Sequence, residues 1–410
     1  AWWTFKMYSP PLTREQEHIA SWNHRRDLLR DRIQMVNADV VCLQEVSPES
    51  FADDFSFMKH LGYDGVELFK KGRFRPATFW KTTKCELVSP AVHKDRTLLT
   101  AFRLVADEKS APSWYVLNCH LQAGKEGKRR VRQIQEGTKA IVTLAKKLHE
   151  PEPTVTARGV VCGDFNGGPE CGAIRFLEDG AVDEKFMEDG EPVTSSKKAL
   201  PFSAPMKDVM DVGDRDPAPS LVVPELISQM VKHGGGYESP RLATAIVDRL
   251  SRIYKRLATY ETSSGLKQMN ISDVEGWLIA INKKLGRGDE MRTAAKQMGW
   301  TPPQGTENLS YDQVKKLITL PPSGVLSLDG FVAVYQQELS RGKFWGIAHD
   351  LAILGEPLPD VGLYRARFDR IYCTEAVKPI AVIDTFCDKP CPNDSEPSDH
   401  LPVAATVVPS

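Results

Sequence analysis

Two polar side chains follow a run of strand-type residues in the segment Val160-Val161-Cys162-Gly163-Asp164-Phe165-Asn166. Because side chains two positions apart on a strand point to the same side, Asp164 and Asn166 should project together from a sheet edge. The glycines and proline that follow favour a turn. A carboxylate can activate a nucleophile and an amide can donate to a developing oxyanion, so this pair suits catalysis. The structural alternative is a capped turn after a buried strand.

Four other positions could supply chemistry. Glu45 ends an apolar strand-like run, Asn118 and His120 share one face of another, and Asp369 lies in a third. The segment Ser398-Asp399-His400 precedes a terminal strand-like run. A histidine can contact a phosphate, and an aspartate can orient that histidine or bind a metal. Each position taken alone also fits an exposed strand end or a surface turn.

The surrounding pattern predicts the elements that would position these residues. Helical spacing of apolar residues over Ser21 to Val36 predicts a helix with Ser21 as its N-cap. A second helix is expected over Val131 to His149, and strand-like runs alternate with both. This alternation favours a layered α/β domain. Basic residues lead into the second helix: Lys125, Lys128, Arg129, Arg130 and Arg132. They indicate a solvated helix face or, as the alternative, contact with phosphate.

The composition provides no strong overall field. The chain has 410 residues, 41% of them hydrophobic, and a net charge of −1, so any polyanion must be bound locally or through a metal. Only Cys387 and Cys391 of the eight cysteines are close in sequence, which is a poor zinc site. Scattered cysteines and the lack of a signal peptide or a bilayer-length apolar run predict an intracellular protein without a transmembrane segment. The strand-like start at Ala1 leaves room for a missing upstream segment.

The composition changes after a Pro- and Asp-rich stretch at 214–224, and residues 240–354 are typical of helices. We therefore predict a first domain part at 1–214, a helical insert at 215–358 and the last domain part at 359–410. Two places in the insert resemble EF-hand loops, at 271–277 and 324–331. We expect a paired EF-hand-like insert in which Ca²⁺ is not bound, because most carboxylate ligands are missing.

The two loops can be compared with the EF-hand pattern position by position. With Ile271 as the eighth position, Glu275 is the twelfth, and the first, third and fifth positions are Ser264, Leu266 and Gln268. With Leu326 as the eighth position, Gly330 is the twelfth, and the same three positions are Thr319, Pro321 and Ser323. Only Glu275 keeps a carboxylate among these.

Taken together in this order, the polar motifs resemble those of the endonuclease/exonuclease/phosphatase superfamily. They are Glu45, Asn118-x-His120, Gly163-Asp164-x-Asn166, Asp369-Arg370-Ile371 and Ser398-Asp399-His400. With the EF-hand-like helices, the chain resembles the plant and algal calcium-binding endonuclease/exonuclease/phosphatase family. Trp22-x-x-Arg25-Arg26 is similar to deadenylase and nocturnin-type enzymes, Arg367-Phe368-Asp369-Arg370 to tyrosyl-DNA phosphodiesterases, and Asp369-Arg370-Ile371 to inositol polyphosphate 5-phosphatases. The subfamily stays open.

The resemblance implies a mixed α/β fold, a two-layer β-sandwich flanked by helices, with the site at one end of the sheets. It also implies roles, which carry over residue by residue. Glu45 would hold Mg²⁺ or Mn²⁺ and Asp399 would complete the metal shell. Asp164 would activate water, Asn166 would donate to the oxyanion, and Asn118 would belong to the same catalytic set. His120 and His400 would contact the phosphate, and Asp369 would orient His400.

One position departs from the family pattern. Lys6 stands where an asparagine near the metal is expected, and its ammonium would contact phosphate but repel a nearby cation.

The resemblance implies a Mg²⁺-dependent phosphoester hydrolase, a phosphodiesterase or nuclease, acting on a substrate such as RNA or DNA. One alternative is a catalytically degenerate member that acts as a structural or assembly protein, with a protein partner on the helical insert. A phosphoinositide or nucleotide phosphatase is the other.

Overall fold

The computed structural model describes residues 14–68, 75–194, 197–210, 217–232, 240–263, 265–282, 289–305, 309, 311–359, 362–383 and 385–410. The predicted first strand, Trp2 to Met7, and Lys6 within it lie outside the described residues. The chain divides into two compact units. Of the described residues, the α/β unit comprises those in 19–223 and 363–410, and the helical unit comprises those in 224–362 together with 14–18.

The α/β unit contains two main β-sheets. The smaller has three strands in the order β1-β3-β2: β1 Val40–Val46, β2 Gly65–Leu68 and β3 Arg75–Trp80. The larger has seven: β4 Cys85–Leu87, β5 Val92–Lys94, β6 Thr97–Leu104, β7 Trp114–His120, β8 Arg158–Asp164, β13 Lys207–Asp208 and β18 Asp369–Cys373. Its order is β13-β18-β8-β7-β6-β4, with β5 paired to β6. Strands β7 and β8 run parallel, which a helical crossover between them permits.

Short strand pairs complete the described β structure: β9 Ala181–Val182 with β12 Lys198–Ala199, β10 Met187–Glu188 with β11 Glu191–Pro192, β14 Leu221–Pro224 with β17 Leu363–Ala366, β15 Tyr260–Glu261 with β16 Lys267–Gln268, and β19 Val377–Ile383 with β20 Ala404–Pro409. The described helices of the first part are α1 Arg14–Ala20, α2 Trp22–Val36, α3 Phe51–Asp54, α4 Phe57–His60, α5 Gly127–Lys147, α6 Pro153–Thr156 and α7 Gly172–Glu178. Those that follow are α8 Ile227–Met230, α9 Thr244–Leu257, α10 Ile271–Asn282, α11 Asp289–Gln297, α12 Tyr311–Leu317, α13 Leu328–Ser340 and α14 Phe344–Ile353.

Apolar side chains hold the α/β unit together in layers. Trp80, Phe102 and Ile371 belong to the core between the two sheets. The outer face of the larger sheet packs on α5 and α7, and the outer face of the smaller sheet packs on α2. The predicted mixed α/β fold is confirmed. Helix α2 also begins as predicted, because Ser21 Oγ accepts a hydrogen bond from the His24 amide at 3.4 Å.

The helical unit has its own apolar core. Trp277, Phe331 and Tyr335 are almost fully buried there, and the Trp277 indole donates to the Tyr335 hydroxyl at 3.1 Å. Among the described residues, no helix of the chain has the length and apolar character needed to cross a membrane. The helices of this unit gain stability from packing their apolar faces into this core.

The loops of the helical unit correct the predicted register. The loops before α10 and α13 pair through Met269 and Leu326, whose backbones exchange hydrogen bonds of 3.1 and 2.8 Å. Met269, not Ile271, is thus the partner of Leu326, and the twelfth position becomes Asp273 instead of Glu275. Glu275 forms an ion pair with Lys315 at 2.9 Å. The error arose because pairing between distant loops, not local pattern, sets the register.

Candidate active site

Three predicted site residues lie side by side at one rim of the larger sheet. His120 is paired with Asp164 across β7 and β8, and Asp164 is paired with Asp369 across β8 and β18. The His120 amide also donates to the Arg96 carbonyl at 3.0 Å, which places the β5–β6 turn at the same edge. The strand ends thus form a row of Arg96, His120, Asp164 and Asp369.

Gly163 is required for Asp164 to reach this rim. Its φ is 130°, and a Cβ atom there would lie 2.0 Å from the Cys119 carbonyl oxygen. Any other residue would force the parallel strands apart. The Gly-Asp pair in the motif therefore has a local steric cause.

Asn166 orients the Asp164 carboxylate. Its Nδ2 donates to Asp164 Oδ2 at 2.8 Å and to the Leu121 carbonyl at 3.0 Å, and its backbone amide donates to Asp164 Oδ1 at 2.7 Å. A carboxamide has two N–H donors, so both are already in use. The structure therefore does not support the prediction that Asn166 donates to an oxyanion. Asn166 instead fixes the orientation of the Asp164 carboxylate, and its own backbone φ is 49°.

Burial raises the pKa of Asp164 to about 7, with nearby His400 opposing this change and Asp369 adding to it. The side chain is 10% exposed. A carboxyl group with such a pKa can exchange a proton near neutral pH. Asp164 is thus suited to general-base chemistry.

His400 lies against Asp369, and its Nδ1 is 2.6 Å from Asp369 Oδ2. Burial alone would lower the pKa of His400, but the surrounding Asp369, Asp164 and Asp399 raise it well above its usual value. These carboxylates therefore favour the protonated imidazole, and Asp369 fixes its orientation. A cation at this place suits contact with an anionic phosphate.

Ser220 connects the start of β18, which carries Asp369, to the segment that carries His400, and the sequence prediction missed it. Its Oγ accepts hydrogen bonds from the amides of Phe368 and Asp369 at 3.1 and 2.9 Å, and its carbonyl accepts from Leu401 at 2.6 Å. The predicted boundary at 214/215 assigned Ser220 to the insert, whereas the α/β unit continues to residue 223. A lone serine between proline-rich residues carries no sequence signal for this role.

Glu45 reaches the rim from a bulge in β1. The pairing of β1 with β3 shifts between Leu43 and Val46, and Glu45 has a φ of 57°. Such a bulge re-aims a side chain, and this conformation is uncommon for a residue with a Cβ. The carboxylate is 37% exposed and lies 3.7 Å from His120 Nε2, which is also 3.7 Å from Asp164 Oδ2.

Glu45 and Asp399 form the carboxylate pair that fits a divalent cation. Partial burial raises the pKa of Glu45, and the negative charge of Asp399 raises it further. Two carboxylates that repel each other offer hard oxygen ligands to Mg²⁺ or Mn²⁺. The donor atoms of Asp164, Asp369 and His400 also lie within 4.8 Å of one another. However, Asp369 and His400 are already hydrogen-bonded to each other, which leaves the carboxylates of Glu45 and Asp399 as candidates to hold a cation.

Asn118 does not reach this rim. It is fully buried, its Nδ2 donates to the Ala77 and Leu43 carbonyls at 2.9 and 3.2 Å, and its Oδ1 accepts from Gln44 at 2.8 Å. These contacts join the two sheets just behind the β1 bulge. The predicted catalytic role is therefore replaced by a positioning role, since a side chain without exposed surface cannot contact substrate.

Arg96 is a second residue that sequence reasoning missed. Burial and the neighbouring cations Arg75 and Arg129 lower the pKa of its guanidinium, whereas Asp95 and Glu45 raise it. Within the described part of the chain, its side chain has no hydrogen bond or ion pair. A half-buried guanidinium beside other cations is well placed to receive a phosphate.

The basic run after β7 is mainly structural. Arg130 is 3% exposed, donates to the Gln122 and Gly124 carbonyls at 2.7 and 2.6 Å, and pairs with Glu188. Arg129 and Arg132 face Asp95 at 3.1 and 3.6 Å. These contacts fix the loop after His120 and the turn that carries Arg96.

The comparisons with known proteins identify the class. The model of the Endonuclease/Exonuclease/phosphatase family matches residues 15–400, and the chain therefore belongs to this family. Members of the family are phosphoester hydrolases, including nucleases and phosphodiesterases, and are generally dependent on divalent metals.

Individual relatives are distant. The chain is 26% identical over 225 residues to the CCR4-Not complex 3'-5'-exoribonuclease subunit Ccr4 of Schizosaccharomyces pombe, covering 41% of this chain and 32% of that protein. It is 24% identical over 213 residues to mouse 2',5'-phosphodiesterase 12, covering 44% and 34%. The solved structure of ANGEL2, a 2',3'-cyclic phosphatase, with adenosine-2',3'-vanadate has 14% identity and a TM-score of 0.47, covering 97% and 89%. The chain spans about a third of the length of the curated relatives that it matches.

Proposed function

We propose that the chain is a divalent-metal-dependent phosphodiesterase that cleaves a phosphoester in RNA by attack of water. The observation that carries the proposal is the rim itself. There Asp164, raised in pKa to about 7, lies between His120 and the Asp369–His400 pair and next to the carboxylates of Glu45 and Asp399. This combination offers a base, a cation for the phosphate and a metal-ligand pair.

Each residue has a defined task in this proposal. Asp164, oriented by Asn166, accepts a proton from the attacking water. His400, held protonated by Asp369, donates to a non-bridging oxygen of the phosphate as negative charge develops. His120 lies between Glu45 and Asp164 and contacts the same phosphate. Arg96 binds a phosphate of the substrate strand from the adjacent turn.

Glu45 and Asp399 would hold the cation, which is Mg²⁺ or Mn²⁺ in the proposal. Its chemistry would be to polarise a phosphoryl oxygen and offset charge in the transition state. Magnesium retains several waters and needs few protein ligands, so two carboxylates suffice. Lys6 stays a predicted phosphate contact.

The choice of RNA rests on the relatives, which include an exoribonuclease and a 2',5'-phosphodiesterase by name. Assignment to the calcium-binding plant and algal subfamily is also proposed, supported by the paired loops at Met269 and Leu326. An intracellular location belongs to the same proposal, because all eight cysteines are free thiols.

Hydrolysis by the purified chain tests the proposal. Substrates would be an oligoribonucleotide, a 2',5'-linked oligoadenylate, RNA ending in a 2',3'-cyclic phosphate, single-stranded DNA, a phosphoinositide and bis-nitrophenyl phosphate, each with Mg²⁺, Mn²⁺ or chelator. We expect metal-dependent cleavage of an RNA substrate that Asp164→Asn abolishes. Preference for the phosphoinositide would favour the phosphatase alternative. Metal-independent activity would contradict the proposed mechanism. No activity on any substrate would contradict the proposal and favour the assembly role for the helical unit.

A further inference from the structure

The Trp22-x-x-Arg25 motif has no task in the chemistry described so far, yet Arg25 contacts the segment that carries Asp399 and His400. We propose that Arg25 is a positioning residue that holds this catalytic turn in place for metal binding. The proposal rests on the proposed function, since it concerns the assigned metal ligand Asp399. The role proposed for Arg25 is to act through the backbone of this segment.

The contact is buried and direct. Arg25 is 8% exposed, and its Nε donates to the Pro397 carbonyl at 2.5 Å. Pro397 lies two residues before Asp399. The Arg25 guanidinium lies 6.0 Å from the centre of the Trp22 ring, and Trp22 packs edge-on against Phe55. A neighbour on the same helix therefore helps to hold the arginine in place.

A second arginine on the same helix attaches the neighbouring residue. Arg32 pairs with Glu396 at 2.5 Å and donates to the Ser395 carbonyl at 3.3 Å. Glu396 is 6% exposed, and Arg32 is the cation that pairs with its buried carboxylate. Arg25 and Arg32 are seven residues apart, which places them on one face of α2. The helix therefore binds the segment at two successive points.

The segment before the turn is itself a folded unit. Asn393 Oδ1 accepts hydrogen bonds from the Ser395 amide, the Ser395 hydroxyl and the Glu396 amide, at 2.9 to 3.0 Å. The Asn393 amide donates in return to the Glu396 carbonyl at 3.0 Å. Because these hydrogen bonds make the loop compact, a contact at Glu396 or Pro397 restrains the position of the whole loop.

Strand β14 holds the other side of the turn. The Val222 amide donates to the Asp399 carbonyl at 3.3 Å, and the Leu401 amide donates to Ser220. The turn that contains Asp399 and His400 is therefore attached to β14 on one side and to α2 on the other. If the Arg25 contact is lost, β14, the His400–Asp369 hydrogen bond and the Arg32–Glu396 pair still hold the segment. The Asp399 carboxylate then has more freedom to move relative to Glu45.

Arg25→Met tests the role, because methionine keeps part of the apolar stem and removes the donor. Arg30→Met is the matched control: Arg30 lies on the same helix, is 42% exposed, and pairs with Asp27 and Asp31 nearby. We expect the Kd for Mn²⁺, measured by calorimetry, to rise about tenfold in Arg25→Met and to stay unchanged in Arg30→Met. The value of kcat should fall by a similar factor with KM unchanged, and Arg25→Lys should recover part of both losses.

Hydrogen exchange separates positioning from general destabilisation. Peptides covering 387–401 should exchange faster in Arg25→Met than in Arg30→Met, while peptides from β7 and β8 exchange at the wild-type rate. Equal Mn²⁺ affinity in the two variants, or faster exchange throughout the α/β unit, would overturn the role. If wild type neither binds Mn²⁺ nor hydrolyses substrate, the proposed function fails, and the exchange of 387–401 alone then decides whether Arg25 holds the turn.

Discussion

Two groups of acidic side chains, one in each unit, serve opposite purposes. In the α/β unit, Glu45, Asp164 and Asp399 lie near one another, and the pKa values of Glu45 and Asp164 are raised. In the helical unit, Glu356 pairs with Arg252 and Arg256 at 2.8 and 3.0 Å, and hydrogen bonds from these arginines lower its pKa. Carboxylates that repel one another are available to a proton or a cation, whereas paired ones already stabilise the fold.

The two paired loops of the helical unit also differ in how they use a carboxylate. The Asp273 carboxylate accepts hydrogen bonds from the Thr259 hydroxyl and amide and from the Asn270 amide, at 2.8 to 3.1 Å. Ser327 and Gly330 take the places of Asn270 and Asp273 in the second loop, where the Gly330 amide donates to Ser327 Oγ. A pairing scaffold can thus persist through apolar packing and capping without converging negative charge.

Asp164→Asn should have the largest effect. It removes the general base while the amide preserves the shape, so kcat should fall about 10²-fold or more. His400→Ala should produce a loss of the same order. Steady-state kinetics measure both, and Asp107→Asn, in a partly buried pair with Arg158, serves as control. Wild-type turnover in either rim variant would remove that residue from the site.

The pH profile of wild type should reflect Asp164. A base must be unprotonated, and burial raises the Asp164 pKa to about 7. With metal saturating, kcat/KM should therefore fall roughly tenfold per pH unit below about pH 7 and level off above it. A profile that stays flat down to pH 5 would show that Asp164 is not the titrating base.

Glu45→Gln should weaken Mn²⁺ binding by about tenfold or more, since one of two assigned carboxylate ligands loses its charge. Glu275→Gln in the helical unit should leave the affinity unchanged, because Glu275 is engaged with Lys315. Titration calorimetry on both variants sharpens the comparison between units. Identical isotherms for Glu45→Gln and wild type would locate the cation elsewhere.

Arg96→Met should raise KM for an RNA substrate by about tenfold, the lower end of the range expected for one hydrogen bond to a charged group. The control is Arg175→Met on α7, where the Arg175 side chain is 44% exposed and pairs with Glu170 and Asp179. Kinetics over a salt series measure the effect, which should diminish at high ionic strength. Equal KM values for the two variants would exclude a phosphate contact by Arg96.

Calcium should have the smallest effect. Neither loop offers converging carboxylates, so millimolar Ca²⁺ should leave the melting temperature and Mn²⁺-dependent activity unchanged. Thermal unfolding with Ca²⁺ or chelator measures this for wild type and Asp273→Asn. A rise of several degrees in wild type that disappears in Asp273→Asn would instead reveal a working calcium loop.

The sequence alone determined the chemistry-bearing residues of the strand ends. Periods of two and 3.6 report which residues share a face, so Asp164, Asn166, His120 and the start of α2 could be predicted from local pattern. The Gly-Asp order likewise reflects a steric need within one strand end, at Gly163.

The tertiary structure decided what local pattern cannot encode. Sheet register brought Asp369 and Arg96 into one row with His120, the β1 bulge turned Glu45 towards that row, and packing between sheets withdrew Asn118 from the surface. Pairing of distant loops moved the register from Ile271 to Met269. In each case the deciding contact joins residues far apart in the chain, and its free energy depends on partners that no short window of sequence contains.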